Sequence, residues 1–203
     1  MGLTVSRAEM IAKLTNLGLV NPPRTIATAL RMLRKQEGVN LLEWADDNGI
    51  PYNDNDYGKY GAIVEEMLGK TRDNSCKPDF GTFELKTTII RQTMPWIDGK
   101  KSITLVQEHE FDVPFVRSNL YKKIKRVLYV GIDAETESIE ILSSWDLQKD
   151  KDLRAAFEED YYAVQDYLNG GDECDSEWLC VMEKNSYLAW AFRPRFVQDF
   201  LQV

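Results

Sequence analysis

The chain of 203 residues is poor in the residues that build zinc centres, disulfide frameworks and membrane spans. Its one histidine is His109, which argues against histidine-based zinc or metal-nuclease chemistry. Cys76, Cys174 and Cys180 are odd in number and lack the spacing of a metal site, so we expect free thiols in a reducing cytoplasm. No apolar run approaches the ~20 residues of a membrane-spanning helix, and the N-terminus lacks a signal-peptide pattern. The sequence therefore predicts a cytoplasmic protein with no membrane partner.

An excess of basic residues, which is common in DNA-binding proteins, is also missing, because the net charge is −8. The charge is uneven: residues 133–183 hold 16 Asp and Glu against three Lys and Arg, which leaves +5 on the rest. Residues 117–126 contain no acid and carry a basic cluster made of Arg117, Lys122, Lys123, Lys125 and Arg126. A local positive surface can hold a phosphate backbone whatever the total charge. Lys122, Lys123 and Arg126 are thus candidate DNA contacts, and a solvated basic helix is the alternative.

Apolar periodicity predicts helices first and strands interleaved with helices afterwards. The predicted helices cover residues 5–18, 22–36, 41–47, 57–68, 118–125, 145–169 and 195–202. The predicted strands cover residues 82–90, 102–107, 126–133 and 138–142. This order predicts an α/β fold in which helices flank a mixed central β-sheet, with a helical N-terminal region at residues 1–56 and the core at 57–203. The aromatic residues of the long 145–169 helix either build the core or face a partner.

The segment Pro78–Lys86 concentrates chemically useful groups in nine residues. Strand alternation places Glu84 and Lys86 on one face, and a turn at Gly81 can bring Asp79 back beside Glu84. Hard carboxylate oxygens suit Mg²⁺, and a neighbouring ammonium can orient a water and offset phosphate charge. The segment therefore predicts a metal-dependent phosphodiesterase. The solvated face of an ordinary hairpin is the alternative, because so short a motif recurs by chance.

A third carboxylate precedes the motif on the helix predicted at residues 57–68. Glu65 is flanked by the apolar residues Val64 and Leu68, whereas Glu66 projects at a different angle. Helical geometry allows Glu65 to reach a metal site at the edge of the sheet, and Glu66 could equally be the solvated one. A surface carboxylate is the alternative for Glu65, since glutamate is mostly exposed in proteins.

Three ordered motifs resemble one known family. Gly-x3-Glu on a helix, then Asp, then Glu-Leu-Lys-Thr, is similar to the MutH family and its restriction-endonuclease relatives, within the PD-(D/E)xK nuclease superfamily. Residues 118–130 resemble the family pattern Ser-x-Leu-x2-Lys-x2-Arg-Val-Leu, and residues 187–196 resemble its closing Leu-x-Arg-Pro and basic-Phe elements. The resemblance covers residues 57–203.

The resemblance implies a restriction-endonuclease-like core that hydrolyses DNA phosphodiester bonds with Mg²⁺, for which Mn²⁺ would substitute. In this reading Glu65, Asp79 and Glu84 match the acidic metal ligands, and Lys86 matches the catalytic lysine. Lys123 matches a basic residue that lies near the scissile phosphate in the family.

The chain also departs from the family pattern. Its Asp79–Glu84 spacing is two residues shorter than in MutH, as in some restriction relatives, and the extended basic loop near the C-terminus is reduced to Phe192–Phe196. Arg193 and Arg195 within this segment either contact DNA or pair with the acidic region 133–183. The expected function is a type II restriction-like deoxyribonuclease that acts on double-stranded DNA. It is either a restriction endonuclease or the small strand-nicking subunit of a heterodimer whose larger partner reads the DNA. A methyl-directed mismatch-repair nicking endonuclease and a catalytically inactive DNA-binding or interaction module are the alternatives.

Overall fold

The described residues of the protein form two compact units in a computed structural model. The structure describes residues 22–54, 56, 58–70, 78–90, 103–106, 113–184, 187–193 and 195–196. Unit 1 takes its described residues from Met1–Thr87 and Leu128–Leu142, and unit 2 from Thr88–Val127 and Ser143–Val203. The predicted helix at residues 5–18 and nearly all of that at 195–202 lie outside the described residues, as do Cys76 and His109. The predicted division near residue 57 stays a prediction.

Unit 1 contains three described α-helices, whose starts follow from capping side chains. They are α1 (Ile26–Leu33), α2 (Leu41–Asn48) and α3 (Lys59–Met67). The helix predicted to begin at residue 22 begins at Ile26 instead, because the Thr25 hydroxyl accepts the Thr28 N–H as its N-cap. The Asn40 side chain likewise accepts the N–H groups of Leu42 and Glu43 at the start of α2.

The strands form two three-stranded sheets among the described residues, with the orders β1-β3-β4 and β2-β6-β5. The strands are β1 (Glu84–Ile90), β2 (Ile103–Val106), β3 (Arg126–Asp133), β4 (Ile139–Asp146), β5 (Leu179–Lys184) and β6 (Tyr187–Phe192). β6 pairs antiparallel with both β2 and β5. The first three strands agree with the predicted positions to within two residues, whereas β5 and β6 were not predicted.

The tip of the β3–β4 hairpin fixes α2 and α3 within unit 1. The Asn40 side chain donates to the Thr136 carbonyl at 3.0 Å, and the Leu41 N–H donates to the Glu137 carbonyl at 2.9 Å. The Tyr60 hydroxyl of α3 donates to the Glu137 carboxylate at 2.7 Å. These bonds orient the helix that carries Glu65.

The long helix predicted at residues 145–169 is wrong at its N-terminal end. Trp145 and Asp146 complete β4, and helix α5 begins only at Lys151 and ends at Leu168. The Trp145 indole donates to the Ile124 carbonyl at 2.8 Å, which holds it in the strand. Asp150 accepts the Leu153 N–H and thereby starts the helix.

Unit 2 is built around an aromatic cluster and also contains helix α4 (Asn119–Ile124). The rings of the cluster belong to Trp145, Phe157, Trp178, Phe192 and Phe196. The Phe192 and Phe196 rings stack with centroids 4.3 Å apart. Most aromatic residues of the predicted 145–169 helix therefore build the core, although Tyr162 and Tyr167 of α5 are 47% and 48% exposed.

The described elements confirm a mixed α/β protein, with a mixed sheet and helices. None of the helices in the described part of the chain has the length and apolar character needed to cross a bilayer. Cys174 and Cys180 are free thiols, as expected, and burial raises the pKa of the Cys180 thiol.

Candidate active site

A tight turn precedes β1 and returns Asp79 to the start of the strand. The Gly81 N–H donates to the Pro78 carbonyl at 2.8 Å, and Gly81 has a φ of 71°. The Asp79 N–H then donates to the Glu84 carboxylate at 3.3 Å, while the Asp79 carboxylate accepts the Leu85 N–H at 2.9 Å. The turn expected at Gly81 thus brings the two carboxyl-bearing residues together.

Gly81→Ala should test whether this turn matters beyond its contribution to folding. A Cβ at Gly81 would meet no atom within 4 Å, so the cost is the left-handed conformation alone, about 1–2 kcal/mol. Gly38→Ala is a matched control, because Gly38 has a φ of 75° and equally open surroundings. We expect similar losses of unfolding free energy in urea, with weaker Mn²⁺ binding only for Gly81→Ala. Equal Mn²⁺ affinities for the two variants would contradict a role for the turn in the site.

Glu84 and Lys86 lie on one face of β1, as the strand alternation predicts. The Lys86 ammonium is 2.8 Å from the Glu84 carboxylate, and Glu84 is only 2% exposed. A carboxylate buried to this extent needs a cation, because removing it from water is otherwise costly. The strand therefore supplies a carboxylate and an ammonium group in direct contact.

Helix α3 approaches β1 closely enough to bring Glu65 toward this region. A Cβ at Gly61 would lie 3.1 Å from the Thr87 hydroxyl, so the absence of a side chain at Gly61 permits the close packing of helix on strand. Glu65 follows Gly61 by one helical turn and is 16% exposed at its side chain. The neighbouring Glu66 has a raised pKa because of burial and shows no ion pair among the described contacts. Of the two glutamates, Glu65 is the one placed in a charged cluster.

Lys70 is the member of this cluster that the sequence analysis did not identify. Its ammonium is 3.6 Å from the Glu65 carboxylate and 3.9 Å from the Asp79 carboxylate. Its side chain is 10% exposed, and its charge lies 5.8 Å from the centre of the Phe80 ring. Lys70 therefore connects two of the carboxylates that the sequence assigns to metal binding.

The donor set suits Mg²⁺, but the carboxylates are directed at lysines. Oxygens of Glu65, Asp79 and Glu84 are the hard ligands that Mg²⁺ prefers. Within the described ranges, no three acidic, cysteine or histidine side chains converge closely enough to hold a metal ion. In this arrangement the ammonium groups of Lys70 and Lys86 are the cations beside the carboxylates. The oxygen donors therefore suit a divalent cation by their chemistry, while their partners in the structure include the two lysines.

The basic residues predicted to contact DNA lie in unit 2. Lys122 is exposed in the last turn of α4 and donates to the Asn119 side chain at 2.9 Å. Lys123 follows it and is partly buried. Arg126 is the first residue of β3, and its guanidinium is paired with the Asp146 carboxylate at 2.9 Å. Their roles in DNA binding stay predictions.

The two C-terminal arginines lie against the acidic region. Arg193 donates to the Leu179 carbonyl at 3.0 Å and to the Ser176 hydroxyl at 3.2 Å. Arg195 is 3.6 Å from the Glu177 carboxylate, and both of these side chains are exposed. Arg193 thus bonds neutral acceptors within the acidic region, whereas Arg195 makes an exposed ion pair with it. A DNA contact by either arginine stays a prediction.

Comparison with known proteins adds no assignment: no protein-family model and no curated protein matches the chain. The geometry of the cluster at α3 and β1 is therefore the basis for any functional argument.

Proposed function

We propose that the protein is a Mg²⁺-dependent DNA endonuclease with a PD-(D/E)xK core, acting as the strand-nicking subunit of a restriction system. The observation that carries the proposal is the contact of Lys86 with Glu84 at 2.8 Å beside a turn that returns Asp79 to Glu84. A surface hairpin would leave such side chains solvated, whereas Glu84 is 2% exposed. Burying an acid and a lysine together has a cost in folding that a reaction site explains.

The reaction is hydrolysis of a DNA phosphodiester. Glu65, Asp79 and Glu84 would hold Mg²⁺, which when bound supplies charge neutralisation at the phosphate and lowers the pKa of a water. Lys86 would orient the attacking water and offset the negative charge that develops on the oxygens of the reacting phosphate. The bond from the water oxygen to phosphorus forms as the bond to the 3′ oxygen breaks. The attacking water gives up a proton to the surrounding water, and the leaving oxygen takes one from it.

A separate subunit that reads the sequence is part of the proposal. Base readout needs side chains such as Arg, Lys, Asn or Gln delivered to the groove. Arg193 is instead bonded to Leu179 and Ser176 within unit 2. Lys122 and Lys123 can contact phosphates, which position a protein without reading bases. The catalytic chain would thus depend on a DNA-recognising partner for specificity.

The proposal is tested by incubating supercoiled plasmid with the purified protein in Mg²⁺, in Mn²⁺ and in EDTA. We expect nicking that requires the divalent ion, slow and scattered for the isolated chain, and confined to defined sites when the partner subunit is added. Nicking that persists in EDTA would contradict the proposal. So would the absence of nicking when the protein is combined with a partner subunit that restores restriction in cells.

An inactive interaction module is the second candidate function, and the ion pairs favour it. The Glu65, Asp79 and Glu84 carboxylates each have a lysine within 4 Å, as in a purely structural charge network. Isothermal titration with Mn²⁺ separates the candidates, because a structural network has no reason to bind a divalent ion. Saturable heat favours the nuclease, and its absence favours the module.

A further inference from the structure

Lys70 has an environment that ordinary surface lysines lack. It follows Gly69, whose φ of 75° ends α3, and the Lys70 N–H donates to the Glu65 carbonyl at 2.9 Å. This backbone bond turns the chain so that the side chain folds back beside the helix. The residue is 9% exposed, and lysine is almost never so buried unless it is paired with anions.

The ammonium of Lys70 stands between two carboxylates that come from different elements. Glu65 belongs to α3, and Asp79 belongs to the turn before β1. The two distances, 3.6 and 3.9 Å, exceed the range of a strong hydrogen bond, so the attraction is mainly coulombic. The lysine stem is long and flexible, so the ammonium can shift relative to these two carboxylates.

The charges of the cluster also bear on metal binding. Glu65, Asp79 and Glu84 contribute three negative charges, and Lys70 and Lys86 contribute two positive charges. A divalent cation entering beside these carboxylates would be repelled by both ammonium groups. Lys86 is needed for the proposed reaction, whereas Lys70 has no part in it.

We propose that Lys70 is an internal counter-ion that holds Glu65 and Asp79 together in the metal-free protein and competes with the divalent cation for them. It thereby sets the metal affinity of the site. This inference rests on the proposed function, since it requires that the carboxylates bind a metal. Its consequence is a site that stays assembled without metal yet loads only when the ion concentration is high enough to displace the lysine.

The test is the Mn²⁺ affinity of Lys70→Met, measured by isothermal titration on the full chain. Methionine keeps most of the apolar stem of lysine without its charge. We expect a dissociation constant at least about tenfold lower than that of the wild type, because a positive charge close to a divalent ion is removed. Lys70→Arg keeps the charge and should bind Mn²⁺ as the wild type does.

A matched control is Lys59→Met. Lys59 is the first residue of α3, the helix that Lys70 follows, and has a similar side-chain exposure of 14%, but its partner is the exposed Asp54 at 3.4 Å. Its Mn²⁺ affinity should equal that of the wild type. Thermal unfolding gives a second readout: Lys70→Met should unfold at a lower temperature without metal and gain more from Mn²⁺ than the wild type gains.

The outcomes separate the inference from the proposed function. Wild-type Mn²⁺ affinity in Lys70→Met, with metal-dependent nicking intact, would overturn the counter-ion role and leave the nuclease standing. If neither the wild type nor Lys70→Met binds Mn²⁺ or cuts DNA, both fall together. Should Lys70→Met fail to fold, the shorter polar variant Lys70→Gln takes its place, and tighter binding is again the supporting result.

Discussion

Lys86→Ala is expected to lower the Mg²⁺-dependent cleavage of DNA by the protein about 10²- to 10⁴-fold. The Lys86 ammonium is 2.8 Å from the buried Glu84 carboxylate, which fixes where its charge is presented. Without it, the attacking water loses an orienting donor and the reacting phosphate loses a cation. The measurement is the rate of conversion of supercoiled plasmid to nicked circles at saturating Mg²⁺.

Two controls distinguish chemistry from folding in this experiment. Lys59→Ala removes a lysine of similar exposure whose partner is Asp54, and it should leave the nicking rate unchanged. Lys86→Ala removes the ammonium that contacts the buried Glu84 from the same strand, so it could also destabilise the fold. Far-ultraviolet circular dichroism and the urea midpoint should show whether the variant remains folded. Undiminished nicking by a folded Lys86→Ala would show that any nuclease activity of the chain arises elsewhere.

The sequence predicted the local geometry of the motif because the rules involved are local. Strand alternation alone places Glu84 and Lys86 on one face, and a glycine at position 81 supplies a left-handed turn. Lys70 escaped prediction because its position depends on how α3 ends at Gly69 and on the approach of a turn that lies nine residues further along the chain. A lysine five residues after a candidate ligand and next to a helix-ending glycine was the available signal.

The wrong predictions of secondary structure came from sequence patterns that are compatible with more than one kind of element. Residues 145–169 have apolar spacing compatible with one long helix, yet Trp145 finds a hydrogen-bond acceptor at Ile124 and stays in β4. Strands β5 and β6 are short and pair with each other, and β6 also pairs with β2, which lies far earlier in the chain, so periodicity alone did not reveal them. Periodicity reports a local preference, and tertiary pairing decided these segments.

The buried Asp160 of α5 shows how strongly such tertiary contacts hold unit 2. Its carboxylate accepts the backbone N–H groups of Glu177, Trp178 and Leu179 at 2.7, 2.6 and 2.8 Å. These donors begin β5, so one side chain attaches the helix to the start of the strand. The Leu179 carbonyl then accepts from Arg193, which extends the same network beyond β6.

Asp160→Ala is expected to lower the free energy of unfolding by about 3–5 kcal/mol, because three backbone donors lose their acceptor. The matching fall in melting temperature is roughly 10 °C, measured by calorimetry. Asp160→Asn keeps one acceptor oxygen and should lose less, whereas Glu159→Ala at the exposed neighbouring position should change little. A loss below about 1 kcal/mol for Asp160→Ala would mean that water satisfies these donors and that the attachment of α5 to β5 depends on the aromatic cluster instead.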